Sequence, residues 1–489
     1  MSDLPLQLGI IGGYLVLALA IGLFAYRLTD RSAEDYYLAG RTLGTVVLLF
    51  TTFATLLSAF TFFGGPNLAY GAGPEWILVM GLMDGIIFAV LWYVVGYKQW
   101  LVGREHGYVT LGEMLGDRFG SQWLRGLVAA VSLFWLFPYV MLQQVGAGTA
   151  LEALTGGTIP YWAGAGLITA FMIAYVVLAG MRGIAWTDTL QGAFMLVMVW
   201  AALAWVLSAV GGAGAATDRL AASNPEFLAL GGGLYTVPWM LSQAISIAFG
   251  VAMFPQVNQR FFVAKSKTVL KRTFALWPIL VVLLFVPAFL LGAWAQGLGL
   301  AVPDGGNVLP VLLNEYTPAW FAALVVAGAM AAMMSSSDSM LLSGSSYFTR
   351  DLYRPFVNPD ASDRREDVLA RIGVAVFAIL AFVASLFRPG SLIEIGDTAF
   401  GGFAQLALPV IAALYWRETT RAGMFAGVGG SQAFYLASVF TGFVPDAFWG
   451  WSASVVGMLI GLALTVGVSA FTAPAADERP ATYEGLGAD

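Results

Sequence analysis

The sequence predicts an all-α, polytopic membrane protein with thirteen transmembrane helices. Three observations lead there: too few charges to coat a soluble protein, thirteen apolar runs of spanning length, and a one-sided distribution of basic residues.

Apolar residues make up 59% of the 489-residue chain and charged residues 11%. Soluble domains carry roughly 25% charged residues, so most of this chain must face lipid or its own interior. There is no cysteine and hence no disulfide or thiolate metal site. The net charge of −6 argues against a nucleic-acid partner. The first apolar run is long enough to span and is not followed by a small-residue cleavage pattern, so it reads as a helix and not as a cleaved signal.

A spanning helix takes about 20 mostly apolar residues. Such runs begin near Leu8, Gly44, Ile77, Gly126, Tyr161, Thr187, Pro238, Phe274, Ala319, Ile372, Ala399, Ala422 and Phe448. They lack the alternation of barrel strands. Residues 8–26 form a leading helix, 422–471 two trailing helices, and the Pro-, Ala- and acid-rich stretch 472–489 a disordered cytoplasmic tail. With alternate loops on alternate sides, 21 of the 23 Lys and Arg residues fall on one side, and only Arg219 and Arg388 on the other. Basic loops stay cytoplasmic, which places the amino terminus outside and the carboxyl terminus inside a cell membrane. The longest outer connections are Gly211–Val237 and Leu300–Pro318.

Intramembrane polar residues are costly and usually serve a purpose. Ala332, Ser335, Ser336 and Ser339 recur at i, i+3, i+4 and i+7, one helical face. Serine hydroxyls and freed carbonyls are hard oxygen ligands suited to an alkali cation; a close-packing seam of small residues is the alternative. Asp338 stands beside them. Between Ala54 and Asn67, Gly64, Gly65 and Pro66 interrupt an apolar helix, and Pro66 frees a carbonyl near Phe62. Transporters build their sites at such mid-membrane breaks; an ordinary proline kink is the other reading. Asp188 and Gln191 lie one turn apart at the start of a span, where an aspartate can also be a capping group. Asp84 sits deeper and must face the interior, water or a partner. The single histidine, His106, lies in an inner loop, so no intramembrane histidine relay or Ser–His–Asp set can form.

Four stretches resemble one family. They are Glu34-Asp-Tyr-Tyr-Leu-Ala-Gly-Arg41, Gly180-Met-Arg-Gly-Ile-Ala-Trp-Thr-Asp188-Thr-Leu-Gln191, Phe254-Pro-Gln-Val-Asn-Gln-Arg260 with Ala264-Lys-Ser266, and Ala331–Ser339 continued to Tyr353. In this order they resemble the sodium:solute symporters, among them the proline, pantothenate, monocarboxylate and sodium–glucose symporters. The resemblance implies a leucine-transporter-type inverted repeat of five plus five helices, over 44–211 and 238–417. It also implies one sodium site, formed by the carbonyls of Ala54, Leu57 and Ala332 and the hydroxyls of Ser335 and Ser336. Some members hold a second ion at positions matching Asp188, Ser335 and Ser339; here Asp338 stands where they often have Ser or Ala. The proline symporters' aspartate beside the first site is Leu56 here, which disfavours proline.

Together these features lead us to expect a sodium-coupled symporter that imports a small organic solute, such as a monocarboxylate or pantothenate, with no enzymatic step. Thr61, Asn67, Gln143, Gln144 and Asp84 are the expected substrate contacts, and the freed N–H groups of the broken helix a seat for a carboxylate. Proton coupling through Asp84, Asp188 or Asp338 is the alternative. A channel, which needs continuous polar rings, and a transport-like sensor, which needs a signalling domain, fit less well.

Overall fold

The computed structural model describes residues 3–26 and 37–478. Arg27, Arg31 and residues 34–36 of the first family-like motif lie outside the described residues, as does the tail from 479. Helix dominates what is described, because hydrocarbon offers no partner for backbone N–H and C=O groups and an α-helix satisfies them internally.

In chain order the helices are α1 Leu4–Tyr26, α2 Thr45–Leu56, α3 Phe60–Ala72, α4 Ile77–His106, α5 Leu111–Arg118, α6 Gln122–Leu154, α7 Tyr161–Val210, α8 Gly212–Ser223, α9 Val237–Ala252, α10 Pro255–Val263, α11 Lys267–Gly297, α12 Val308–Tyr316, α13 Ala319–Phe356, α14 Asp363–Ser385, α15 Leu392–Tyr415, α16 Arg421–Thr441 and α17 Ala453–Phe471. Nine helical segments among the described residues are long and apolar enough to cross a membrane, and eleven if the bent pairs α2–α3 and α9–α10 each count as one span. The expected thirteen exceeds this by two: Tyr161–Val177 is a shorter apolar stretch, and α16 carries four glycines and three serines and threonines among its apolar residues.

Helix starts carry their own chemistry. Thr110 and Ser391 each form a reciprocal capping box with the glutamate three residues on, Glu113 and Glu394. Ser121, Ser266, Thr420 and Ser452 cap α6, α11, α16 and α17. The connections 211–237 and 300–318, expected as long loops, both contain helix, α8 and α12. The last span starts at Ala453, after a two-stranded hairpin (β1 Ala447–Phe448, β2 Trp451–Ser452) whose turn residues Trp449 and Gly450 both have positive φ.

Fifty residues of α7 would be about 75 Å long if straight. The Tyr175 hydroxyl instead bonds the Thr187 hydroxyl and the Gly183 carbonyl. Twelve residues of straight helix would hold positions 175 and 187 about 18 Å apart. The helix therefore turns back between its arms, Tyr161–Val177 and Met181–Val210. Asp188 consequently lies two turns into the second arm and is not a helix-capping residue.

Two helices are broken. α2 ends at Leu57, whose backbone is extended (φ −83°, ψ 121°), and α3 leaves at 61° to it. The break thus falls at Leu57–Ser58, nearly two turns before the glycines and proline that the sequence pointed to. Pro66 removes a donor, and the wide π-turn Phe60–Gly64 just before it absorbs the mismatch without a break. The second break, unforeseen, separates α9 from α10 by 56°; Phe254 is extended and Pro255 opens the new helix.

α13 is the central pillar. Every residue from Val325 through Ser346 is buried. Its run of Ala, Gly, Met and Ser lets α1, α2, α6 and α7 approach closely.

Candidate ion and substrate site

The site forms where the break in α2–α3 meets the serine face of α13. A helix end leaves its last carbonyls without intrahelical donors. At this end the Phe53 carbonyl is taken by the Leu57 N–H at 3.1 Å. The Ser336 hydroxyl donates to the carbonyls of Thr55 at 2.8 Å and Leu57 at 2.7 Å. Ala54 lies in the same last turn, and Ala332 one turn before Ser336 on α13; both are fully buried. Ser335 points its hydroxyl proton to Asp188 Oδ1 at 2.7 Å. Each serine thus gives its proton away and keeps oxygen lone pairs for an electropositive neighbour.

Next to it lies a buried ion pair. Arg260 Nη2 and Asp188 Oδ2 are 3.1 Å apart, and each side chain is 1% exposed. Asp188 Oδ2 also accepts from Thr51 Oγ1 at 2.6 Å and Thr55 Oγ1 at 3.4 Å. Arg260 further donates to Ser339 Oγ at 2.6 Å, Thr51 Oγ1 at 3.1 Å, the Thr51 carbonyl at 3.4 Å and the Gln256 carbonyl at 3.0 Å. Ser339 and Thr55 share a hydrogen bond of 2.8 Å. The sequence had put Arg260 among the inner-loop bases. It is instead fully buried on α10 and was missed, as were Thr51 and Thr55. Asp338 is buried too, within electrostatic reach of Asp188, Tyr14 and Tyr175, and its Oδ1 has no hydrogen-bond partner.

A family model for the sodium:solute symporters matches residues 36–430. The chain belongs to the sodium:solute symporter family. The symporter is similar over its length to two curated relatives. The sodium/pantothenate symporter of Haemophilus influenzae is 28% identical, covering 92% of this chain and 95% of the relative. That of Escherichia coli K12 is 30% identical, covering 88% and 91%. Its fold resembles that of a Na+-coupled sialic acid symporter solved in a substrate-bound, outward-open state, with TM-score 0.77, 21% identity, and coverage of 96% and 99%. It is therefore a multi-pass membrane protein of a transporter family.

On the other side of the symporter's break, α3 begins with its N–H groups satisfied. Gln143 Oε1 accepts from the Ala59 N–H at 3.0 Å, Ser58 Oγ from the Phe60 N–H at 3.2 Å, and the Ser58 carbonyl from the Thr61 and Phe62 N–H groups at 3.0 and 3.1 Å. The expectation of bare N–H groups waiting for a carboxylate does not hold in this conformation. Ser58 Oγ also bonds the Tyr139 hydroxyl at 3.1 Å. Around this polar knot pack Phe60, Phe254 and Phe400, with ring centroids 5.0–5.6 Å apart where Tyr139, Phe254 and Phe400 meet. Asp84 lies buried within electrostatic reach of Tyr139, its Oδ1 unpartnered.

The structure brings Thr61, Gln143 and Asp84 to this region. It places two expected contacts elsewhere. Gln144 donates to Thr169 Oγ1 and to the Ala378 carbonyl, both at 3.0 Å, tying α6 to α7 and α14. Neighbouring helical residues point about 100° apart, so Gln143 and Gln144 cannot share a task. Asn67 bonds the Gly306 carbonyl, Asn307 Oδ1 and the Val308 N–H, and pins the connection before α12.

At one edge of the bundle Arg125 bridges Glu113 and Asp351, and Arg350 bonds the same Glu113 carboxylate at 2.6 Å. Asp477 pairs there with Arg421, and Glu478 Oε1 accepts the Arg421 N–H at 3.1 Å. The start of the expected disordered tail is therefore in contact with the bundle.

Proposed function

We propose that the protein is a sodium-coupled secondary active symporter that imports a small organic carboxylate. The observation that carries this is the meeting of Ser336 with the freed carbonyls of the α2 break. The proposed sodium ligands are the carbonyls of Ala54, Leu57 and Ala332 and the hydroxyls of Ser335 and Ser336. Ser336 now spans Thr55 and Leu57, and an ion entering between these oxygens would draw α2 and α13 together. Sodium binding and closure of the substrate site are then linked, and by reciprocity substrate raises the affinity for sodium.

Pantothenate is the leading candidate substrate, because the two relatives described above, among others that match, carry that name. A smaller monocarboxylate is the other candidate and shares its carboxylate chemistry. In this reading the substrate lies beside Ser58, Thr61, Tyr139 and Gln143, and its carboxylate takes the place of Gln143 Oε1 on the Ala59 N–H. Asp84, near Tyr139, faces the same space.

The proposed topology keeps thirteen spans, with α16 and the first arm of α7 crossing as well. The two broken helices each stand first in a proposed repeat, over 44–211 and 238–417, which supports the five-plus-five inversion. The partition of basic residues keeps its sign with the buried Arg260 set aside, and supports an external amino terminus and a cytoplasmic carboxyl terminus.

Uptake into proteoliposomes tests the reading. Labelled pantothenate, a series of monocarboxylates and proline are offered with an inward sodium gradient, and with choline in its place. Sodium-driven accumulation of a carboxylate supports it; accumulation driven equally well in choline contradicts it.

A further inference from the structure

Two apolar cavities lie end to end along α6, on the side where it meets α13. The larger, about 590 Å³, runs past Trp123, Ala130 and Leu352. The other, about 310 Å³, continues it past Leu133 and Leu341 and is closed by Val376 of α14. Phe348 lines both, so they make one groove. Its inner part is apolar except for Ser345, whose hydroxyl turns back to the Leu342 carbonyl at 2.7 Å. Along α6 the groove reaches from Trp123 to Leu136, about 20 Å of helix. One leaflet of hydrocarbon is about 15 Å deep, so the groove has the length of a single acyl chain.

We infer that this groove holds one acyl chain of an anionic phospholipid, whose phosphate sits at Arg365. The mouth opens where α6 and α16 start and α13 ends. Trp123 and Phe356 meet there with ring centroids 5.1 Å apart, and Trp123 is exposed; tryptophan favours the headgroup level of a bilayer. Three arginines stand within a turn of the lining. Arg354 follows Tyr353, and Arg421 lies one turn before Phe425. Both are paired already, with Glu366 and Asp477. Arg365 lies one turn before Leu369, on the face of α14 that carries Leu369, Gly373 and Val376 along the groove. It is exposed and has no ion-pair partner among the described residues. Apolar burial gives little drive inside a bilayer, because lipid tails are as apolar as leucine. The groove instead supplies close contacts that a void would forfeit, and the unpaired guanidinium selects an anionic headgroup.

The lipid would also back the central pillar. Leu341, Ser345, Phe348 and Leu352 lie about 120–180° round α13 from Ser336, at 100° per residue. A chain in the groove therefore fills the side of α13 turned away from the serine face and braces it between α6 and α14.

The test is native mass spectrometry of the full chain in detergent, titrated with palmitoyl-oleoyl phosphatidylglycerol or with the phosphatidylcholine of the same chains. Wild type should retain one phosphatidylglycerol under activation that strips phosphatidylcholine. Gly373→Leu should lose that lipid, because its side chain enters the groove; a Cβ there meets only Phe348, at 3.7 Å, so the backbone accepts it. Val376→Trp blocks the same stretch from an exposed position and serves if Gly373→Leu does not fold. Arg365→Gln, a surface change, should lower retained phosphatidylglycerol to the phosphatidylcholine level. Inorganic phosphate should not displace the lipid. Equal retention of the two lipids by wild type, wild-type retention in the folded groove variants, or an unchanged preference in Arg365→Gln overturns the inference. Displacement by inorganic phosphate would mean a free-anion site at Arg365 and would overturn it as well.

Discussion

Ser336 Oγ lies 2.7 Å from the carbonyl oxygen of Leu57, across 279 residues of sequence. The bond joins the serine face of α13 to the one place where α2 has no helical donor for its carbonyls. The proposed ion site is this junction.

Ser335→Ala and Ser336→Ala should each raise the sodium concentration for half-maximal uptake. Loss of one buried polar partner costs about 1–3 kcal/mol, or about 5- to 150-fold in affinity. Ser336→Ala also releases the Thr55 and Leu57 carbonyls, while Ser335→Ala leaves Asp188 Oδ1 without its hydroxyl. Sodium titrations of uptake, normalised to folded protein, check both. Unaltered sodium dependence in both variants would move the site elsewhere.

Gln143→Ala and Gln144→Ala should part company. Gln143 holds the first N–H of α3, so its loss should change the KM for substrate. Gln144 ties α6 to α7 and α14 and should show mainly as reduced thermal stability with an unchanged KM. Paired uptake kinetics and melting curves of the two variants make the comparison.

The arrangement was partly legible in the sequence. Hydropathy located the nine to eleven span-length helices found among the described residues, since the bilayer dictates their length. The period of 3.6 put Ser335, Ser336 and Ser339 on one face. The break was misplaced because Gly64, Gly65 and Pro66 are visible breakers, whereas Leu57 and Ser58 carry no such signal; that break is held by ties to Ser336 and Gln143 on distant helices. Arg260 hid among Lys265, Lys267, Lys271 and Arg272, a run that reads as a cytoplasmic loop. Only the following Phe261, Phe262 and Val263, all buried, hinted that it continues into the core. Asp188 was read as a helix start because its helix turns at an apolar segment without proline.

Gly292→Ala should lower stability where Gly9→Ala does not. A Cβ on Gly292 would lie 2.2 Å from the Pro66 carbonyl oxygen, which is backbone and cannot swing away, while Gly9 has nothing within 4 Å. Overpacking of this kind costs about 1–3 kcal/mol. Thermal inactivation of the two variants in the same detergent should show the difference, and equal melting would mean that α11 and α3 are not in contact there.

The Asp477–Arg421 contact should be insensitive to pH across the physiological range. The hydrogen bond from Arg421 holds the Asp477 carboxyl below its usual range. A depressed carboxylate contributes above its unfolded value, about 3.9, and loses that contribution only as pH falls through the lower folded value. Asp477→Asn should therefore leave the pH profile of uptake between about pH 5 and 8 unchanged; an altered profile would give this contact a titrating role.

The most direct test of the central claim needs no substrate. Equilibrium binding of radioactive sodium is measured on purified wild-type protein and on Ser336→Ala, at constant ionic strength with choline as the balancing salt. The account predicts saturable, sodium-specific binding to wild type and a clear loss of affinity in Ser336→Ala. No saturable binding to wild type, or equal affinity in the two proteins, would contradict it.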